Sequence, residues 1–382
     1  MRQLSVVDVG DPRALWEPLS QALFHDGPAV LSRPGGVRVT GTAPLEVPDD
    51  VALVIETSGT TGAPKRVALS AAAVIASATA ANEALGGPGL WLLVLPAHYI
   101  AGVQVATRAL LGGSEPVVLH PQPFSTVAMA ARADELIEQA AGQPLYTSVV
   151  PAQLQRILDD AAGMPKLDEL MRSVSRILVG GQAIPKPLLE RAADRGWRVT
   201  RTYGSSETAG GCVWDQRPIG DVVVDVIDSR LAISGSVVAE GYLDDPESTK
   251  QSFVERAGVR WYVSDDAGFV DEHGLVHVQG RVDDVIVSGG LKVSLAAVEK
   301  VLHETLGLSD LFVVGALDEQ WGHVPVVVST KPLDLVRARM AVSQALGVEA
   351  RPDRVVVVST IPLLSSGKPD RLALERIVKE SA

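Results

Sequence analysis

Through roughly the first 280 residues, short apolar runs alternate with stretches of helical spacing, and this alternation limits the fold more than any other feature. Residues 51–56 read as a buried strand, stopped by the Ser/Gly/Thr cluster at 57–62. Ser70 stands where a helix N-cap belongs and opens a helix to residue 85, ended by Gly86-Gly87-Pro88. Residues 90–95 form the next strand and 101–111 the next helix. Strands at 116–119, 145–150 and 177–179 then interleave with helices at 125–141, 151–162 and 185–195. Such repetition predicts α/β layers on parallel strands. From Asp221 to Gly280 the chain is strand-rich, with turns at Asp228-Ser229, Gly235, Asp244-Asp245-Pro246 and residues 271–274. Arg281-Val-Asp283-Asp284 is a polar break. Beyond it, helices at 294–306 and 333–346 and strands at 311–317, 324–330 and 354–358 make a small α+β unit. The expected architecture is a large N-terminal domain, residues 1–281, of layered α/β subdomains plus a β-rich subdomain, followed by a small α+β C-terminal domain, residues 282–382.

At 382 residues the chain outgrows one ordinary core, in keeping with two domains. Its single cysteine, Cys212, excludes a disulfide scaffold and a zinc ribbon and suits a reducing cytosol. A net charge of −12 argues against broad nucleic-acid binding, which needs a basic face. The first residues lack the apolar core of a secretory signal, and no run is long enough to span a bilayer, so a cytoplasmic protein is expected. A homodimer is compatible with all of this. His273 and His277 are four apart, but Gly274 and the valines at 276 and 278 read as a turn into a strand, which disfavours a helical metal pair. The serine-hydrolase and dinucleotide motifs are both absent.

The most informative stretch is Thr57-Ser-Gly-Thr-Thr-Gly-Ala-Pro-Lys65. Free backbone N–H groups and hydroxyls make an anion cradle, and Lys65 adds a point charge. The spacing is not that of a Walker A loop. A plain Ser/Gly turn between strand and helix is the alternative.

The order of those residues resembles the signature of the adenylate-forming superfamily of acyl- and aryl-CoA synthetases, luciferases and peptide-synthetase adenylation domains. Further segments match in order. Gly180-Gly181-Gln182 resembles the glycine turn that lines the adenine, and Thr202-Tyr-Gly-Ser-Ser-Glu207-Thr208 the Y-G-x-[ST]-E segment. Trp261-Tyr-Val-Ser-Asp-Asp266 is similar to the Y-x-T-G-D segment. Gly280-Arg281-Val-Asp283-Asp284, with Ser288-Gly-Gly290 and Glu299, resembles the hinge region. Asp318-Glu-Gln-Trp-Gly322 and Ile361-Pro-Leu-Leu-Ser-Ser-Gly-Lys368 resemble two C-terminal motifs.

The resemblance implies roles. ATP, Mg²⁺ and coenzyme A would be used with a small carboxylic acid. Thr57, Ser58, Gly59, Thr60, Thr61, Gly62 and Lys65 would bind the ATP phosphates. Gly181, Gln182, Tyr203 and Gly204 would line the adenine, with Tyr203 stacked on it, and Asp266 and Arg281 would bind the ribose. Glu207 would hold Mg²⁺, a hard cation suited to carboxylate and phosphate oxygens; Lys368, Glu207 and Thr208 would form the catalytic group. Asp283 would be the hinge of a mobile C-terminal domain. Gly289 and Gly290 would let the pantetheine arm pass close to backbone.

Two features point to the acid. Only 56 residues precede the phosphate loop, fewer than in most of the superfamily. The segment Leu95-Pro-Ala-His98-Tyr99-Ile-Ala-Gly102-Val-Gln104…Arg108 resembles short actinobacterial o-succinylbenzoate–CoA ligases of menaquinone synthesis. Their acid carries two carboxylates, and the one not activated needs a cation or donors. Arg108, with Gln104 one turn earlier, is the candidate; a solvated helix face is the plain alternative for both. His98, Tyr99 and Ser205 complete the substrate set, with the acyl-facing ring of the first two left open. Arg66 and Asp265 stand where glycines are usual, and Leu295 and Ala297 replace a proline and a glutamate. Another aryl- or short-acyl-CoA ligase, or a non-catalytic nucleotide-binding homologue, are the competing functions.

Overall fold

A computed structural model describes residues 1–34, 46–57, 65–119, 124–364 and 367–381. The fold opens with β1 (Arg2–Asp8), α1 (Trp16–Phe24), β2 (Ala29–Arg33), β3 (Glu46–Val47), β4 (Val51–Thr57), β5 (Lys65–Ser70) and α2 (Ala71–Ala84). β1, β2 and β4 are parallel, but β4 and β5 form an antiparallel pair that sets Thr57 opposite Lys65. Lys65–Ser70 is therefore a strand, which the sequence reading did not place between the Ser/Gly/Thr cluster and the Ser70 cap. Ser70 does cap α2, accepting from the Ala73 N–H. What intervenes is the run Val67–Ala68–Leu69, fully buried and long enough to pair with β4.

The second unit contains β6 (Leu90–Leu93), α3 (Ile100–Leu111), β7 (Val117–Val118), α4 (Thr126–Ala131), α5 (Ala133–Ala140), β8 (Leu145–Val149) and α6 (Pro151–Ala161). It continues through α7 (Pro165–Ser173), β9 (Arg176–Gly180), α8 (Lys186–Asp194), β10 (Val199–Ser205), β11 (Gly210–Trp214) and β12 (Arg217–Pro218). The sheet order is β12-β11-β10-β9-β8-β6-β7, with β6 to β10 parallel as expected and β11 and β12 antiparallel. Every residue of β6 and β8 is buried, the signature of strands covered on both faces. The helix expected at 125–141 breaks at Arg132, whose backbone leaves the helical region (φ −107°, ψ 8°). α7, started by Pro165, was not expected.

Helices α1, α2 and α3 lie between the first two sheets and share one core with them, including Leu19, Val74, Val103, Leu53 and Trp91. α2 is rich in alanine and buries residues on nearly all sides, as a helix between layers must. α4 to α8 cover the other face of the second sheet through Met129, Leu136, Leu154, Leu167 and Leu188.

The strand-rich segment supplies β13 (Val223–Ile227), β14 (Arg230–Ser234), β15 (Gly241–Tyr242), α9 (Pro246–Ser252), β16 (Phe253–Arg256), β17 (Val259–Val270) and β18 (Val276–Arg281). All but β15 form an antiparallel third sheet; β15 pairs with β5 at the edge of the first. A fourth sheet follows from β19 (Val285–Ser288), β20 (Leu291–Ser294), α10 (Leu295–Leu306), β21 (Leu311–Asp318), β22 (Gly322–Ser329), α11 (Leu335–Leu346), β23 (Val355–Val357) and α12 (Arg371–Glu380). It has its own core around Val298, Leu302, Leu311 and Val327. No helix among the described residues is long and apolar enough to cross a membrane.

Candidate active site

Ligands of open parallel sheets bind beyond the carboxyl ends of the strands, and the motif residues gather there. β10 ends in Tyr203-Gly204-Ser205 and runs into a 3-10 turn, Ser206–Thr208, that carries Glu207. A Cβ on Gly204 would lie 2.1 Å from the Gly210 carbonyl oxygen, so only glycine lets β10 and β11 approach so closely here. The Tyr203 hydroxyl donates to Asp266 Oδ2 at 2.8 Å. Asp266 is the cross-strand partner of Arg281, so the two ribose candidates are neighbours. Burial pushes the Asp266 carboxyl up, with Tyr203 and Arg281 opposing that shift. Arg281 grips both oxygens of Asp283 (2.7 and 2.9 Å) and reaches Asp265 at 3.3 Å. The Asp283 bond holds its guanidinium firmly protonated.

Glu207 is buried, 8% exposed, so it is not a solvated loop carboxylate. The hydroxyl of Tyr242 donates to its Oε1 at 2.9 Å, and Lys65 Nζ lies 4.8 Å from the centre of the Tyr242 ring. Tyr242 was missed by sequence reasoning: it reaches the site because β15 crosses to the edge of the first sheet, a tertiary event with no local signal. Thr208 is fully buried and its hydroxyl serves the turn, accepting from the Ser205 N–H (2.9 Å) and donating to the Gly210 carbonyl (2.9 Å). Thr57 and Lys65 flank the segment expected to bind phosphate; Ser58, Gly59, Thr60, Thr61 and Gly62 lie outside the described residues.

The terminal motif returns to this place from the far end of the chain. Gln182 Nε2 donates to the Gly367 carbonyl at 3.4 Å. Gly181 has a left-handed backbone, φ +83°, and a Cβ there would lie 3.3 Å from Lys368 Cε. Solvent reaches the Lys368 side chain, yet protein surrounds the ammonium closely enough for desolvation to pull its pKa down, against the raising fields of Glu207 and Asp266. Ser309 Oγ donates to Gln155 Oε1 at 2.5 Å across the same junction. Gly289 and Gly290 form the turn between β19 and β20; the Gly289 N–H donates to the Trp321 carbonyl at 2.9 Å.

Residues 5–243 match the sequence profile of the AMP-binding enzymes. The chain belongs to the AMP-binding enzyme family. It is 38% identical, over 98% of both chains, to a probable 2-succinylbenzoate–CoA ligase of Mycobacterium tuberculosis. Among solved structures it resembles the amide bond synthetase McbA from Marinactinospora thermotolerans, with a TM-score of 0.75 at 25% identity, covering 98% of this chain and 80% of that one. It also resembles the o-succinylbenzoate coenzyme A synthetase of Bacillus subtilis in complex with AMP, with a TM-score of 0.70 at 25% identity, covering 88% and 72%. The superfamily expected from the motif order is the one found.

An AMP-binding enzyme that handles ATP calls for Mg²⁺, and Glu207 fits it: a buried hard oxygen donor, oriented by Tyr242 on one oxygen. Among the described residues there is no cluster of three His, Cys, Asp or Glu side chains that could hold a metal. Mg²⁺ that takes its other ligands from phosphate and water needs only one or two carboxylates.

In the segment expected to meet the acid, β6 leads through residues 94–99 into α3. His98 is half-buried, burial pulls its pKa down, and its ring centre lies 4.1 Å from that of Tyr99. The solvated-face alternative for Gln104 and Arg108 is overturned, since they are 1% and 5% exposed. Gln104 Nε2 donates to the carbonyls of Ala209 (2.7 Å) and Val74 (3.2 Å). The Arg108 guanidinium lies 5.2 Å from the Trp91 ring centre, and its Nε has no acceptor among the described residues. Burial brings its pKa down to about 10, with no compensating carboxylate among the described residues.

Proposed function

We propose that this protein is an ATP-dependent acid–CoA ligase that adenylates 2-succinylbenzoate and passes the acyl group to coenzyme A in menaquinone synthesis. The observation that carries this reading is Arg108, a buried cation in the last turn of α3 with no carboxylate partner among the described residues. Leaving a charge unpaired inside a protein is costly, and a carboxylate supplied by the substrate would relieve that cost. Similarity to the mycobacterial and Bacillus ligases supports the same acid.

One substrate carboxylate attacks the α-phosphorus of ATP and displaces pyrophosphate, giving the acyl-adenylate. Catalysis of such a step is positioning plus electrostatics. Ser58, Thr60, Thr61 and Lys65 hold the β- and γ-phosphates, and Lys368 neutralises charge at the α-phosphate and the attacking carboxylate. Glu207 would hold Mg²⁺, which when bound would neutralise charge on the phosphate oxygens. Tyr203 stacks on the adenine, and Asp266 and Arg281 take the ribose hydroxyls. Residues 282–382 then act as a lid, hinged at Asp283, that withdraws Lys368 and brings Gly289 and Gly290 to the pantetheine arm. The coenzyme A thiolate attacks the acyl carbonyl and AMP leaves. The reaction takes place in the cytoplasm.

Pyrophosphate exchange over a panel of acids tests the reading. The dicarboxylate should outperform analogues lacking either carboxylate, and the advantage should vanish in Arg108→Met. Equal rates for the monocarboxylate analogues would sink the assignment. An amine as acyl acceptor is the second reading, favoured by the similarity to the amide bond synthetase; the product formed with coenzyme A or with amines separates the two.

A further inference from the structure

Ala209, directly after Glu207 and Thr208, has a left-handed backbone (φ +48°, ψ 29°) and is fully buried. A residue with a Cβ pays roughly 1–2 kcal/mol for that conformation, and it persists only where its surroundings over-determine it. They do so here. The Ala209 carbonyl accepts two buried side-chain hydrogen bonds, from Ser77 Oγ on α2 at 2.9 Å and from Gln104 Nε2 on α3 at 2.7 Å. The second amide bond of Gln104 goes to the Val74 carbonyl on α2. On the other side of Glu207, Thr208 Oγ1 ties the Ser205 N–H to the Gly210 carbonyl, and the Glu207 carbonyl accepts from the Ala239 N–H at 2.8 Å. The turn that carries Glu207 is thus fastened from two helices.

We infer that Gln104, together with Ser77, is a positioning residue for Glu207, fixing through the Ala209 carbonyl the turn that aims this carboxylate at the metal–nucleotide complex. The sequence had assigned Gln104 to the acid. Its chemistry argues otherwise. Gln104 Nε2 is committed to backbone, and the remaining Oε1, buried and without a donor among the described residues, is an acceptor that gives a carboxylate nothing to bind. Gln104 lies one turn from Arg108 on α3, so the same helix that meets the acid also anchors the metal-binding turn.

The test compares Gln104→Leu and Ser77→Ala with the parent protein, using ATP titration calorimetry with Mg²⁺ and with EDTA, then KM and kcat in pyrophosphate exchange. Loss of one of the two buried hydrogen bonds to the Ala209 carbonyl should weaken Mg²⁺-dependent ATP binding by about five- to tenfold in each variant, although Gln104→Leu also loses its bond to Val74. Binding in EDTA and KM for the acid should stay within twofold of the parent. A raised KM for the acid with unchanged Mg²⁺-dependent binding would overturn the inference in favour of an acyl contact. A lowered Tm with every binding and kinetic constant unchanged would overturn it in favour of a purely structural role. If Gln104→Leu does not fold, Ser77→Ala, which removes one oxygen, decides alone. The inference rests on the adenylating reading, but the calorimetry needs no acid. A wrong acid would therefore leave that result intact, whereas failure of the inference would show in it directly.

Discussion

The Tyr242 hydroxyl meets Glu207 Oε1 at 2.9 Å while the ammonium of Lys65 lies over the face of the same ring. One aromatic side chain thereby separates and orients a cation from β5 and a carboxylate from the second sheet. Burial and the Glu207 charge both push the Tyr242 phenol up, so at neutral pH it is a donor and fixes the rotamer of the carboxylate.

Tyr242→Phe keeps the ring and its edge contact with Phe253 but removes the donor. A hydrogen bond to a charged group is worth about 1.5–3 kcal/mol, so adenylation should slow roughly 10- to 100-fold. Pyrophosphate exchange at saturating acid checks this, with an unchanged circular dichroism spectrum as the folding control.

Lys368→Ala should abolish adenylation while largely sparing thioester formation from supplied acyl-adenylate. Equal losses in the two half-reactions would refute its assigned role. Because desolvation lowers the Lys368 pKa from the ordinary 10.5, the ammonium deprotonates early, and the alkaline limb of the adenylation profile should fall below that value. Lys368→Arg should move the limb upward, since guanidinium does not titrate there.

On the proposed reading, Arg108 sets function against stability. Replacing the buried guanidinium, which has no carboxylate partner among the described residues, with methionine removes a desolvation cost, so Arg108→Met should raise stability by about 1–3 kcal/mol. The same change should raise KM for the dicarboxylic acid roughly 10- to 100-fold and leave KM for ATP unaltered. Thermal unfolding and steady-state kinetics on one preparation measure both, and a fall in Tm would contradict the unpaired-cation argument.

Arg66, the unusual residue after Lys65, belongs to a ladder of alternating charge across the first sheet. Arg33 bonds both oxygens of Glu56 (2.9 and 2.6 Å), Arg66 Nε reaches Glu56 at 3.2 Å, and Arg66 lies 3.6 Å from Asp244. Burial works to raise the Glu56 carboxyl, but the two arginines outweigh it and leave it below its ordinary 4.5. The unfolded chain therefore takes up this proton first as pH falls. The stabilisation is complete above 4.5 and drains away below it. Glu56→Gln should lower Tm at pH 7 and flatten the acid loss; a parallel shift at pH 7 and pH 3.5 would count against the ladder.

Much of the site was legible because its residues lie in short contiguous motifs. Thr57, Lys65, Tyr203 and Arg281 sit at or near strand ends, Glu207 on the turn that follows one, and Asp266 within β17, each inside a motif of a few consecutive residues. The apolar runs likewise announced the parallel strands of the second sheet. The strand at Lys65–Ser70 was not legible, because residues 65–70 merge into the helical pattern that follows. Nor was the break at Arg132, which depends on how α4 and α5 pack against α7.

By itself, the sequence determined the layered α/β class, the order of the adenylate motifs and the family they mark, since all three follow from local periodicity and contiguous chemistry. Only the tertiary structure decided that Tyr242 stands between Lys65 and Glu207, that Arg108 is a buried cation and that Gln104 clamps Ala209. Each of those depends on strands and helices distant in the chain being driven together by burial, and burial sets which polar groups find partners and which are left for a ligand.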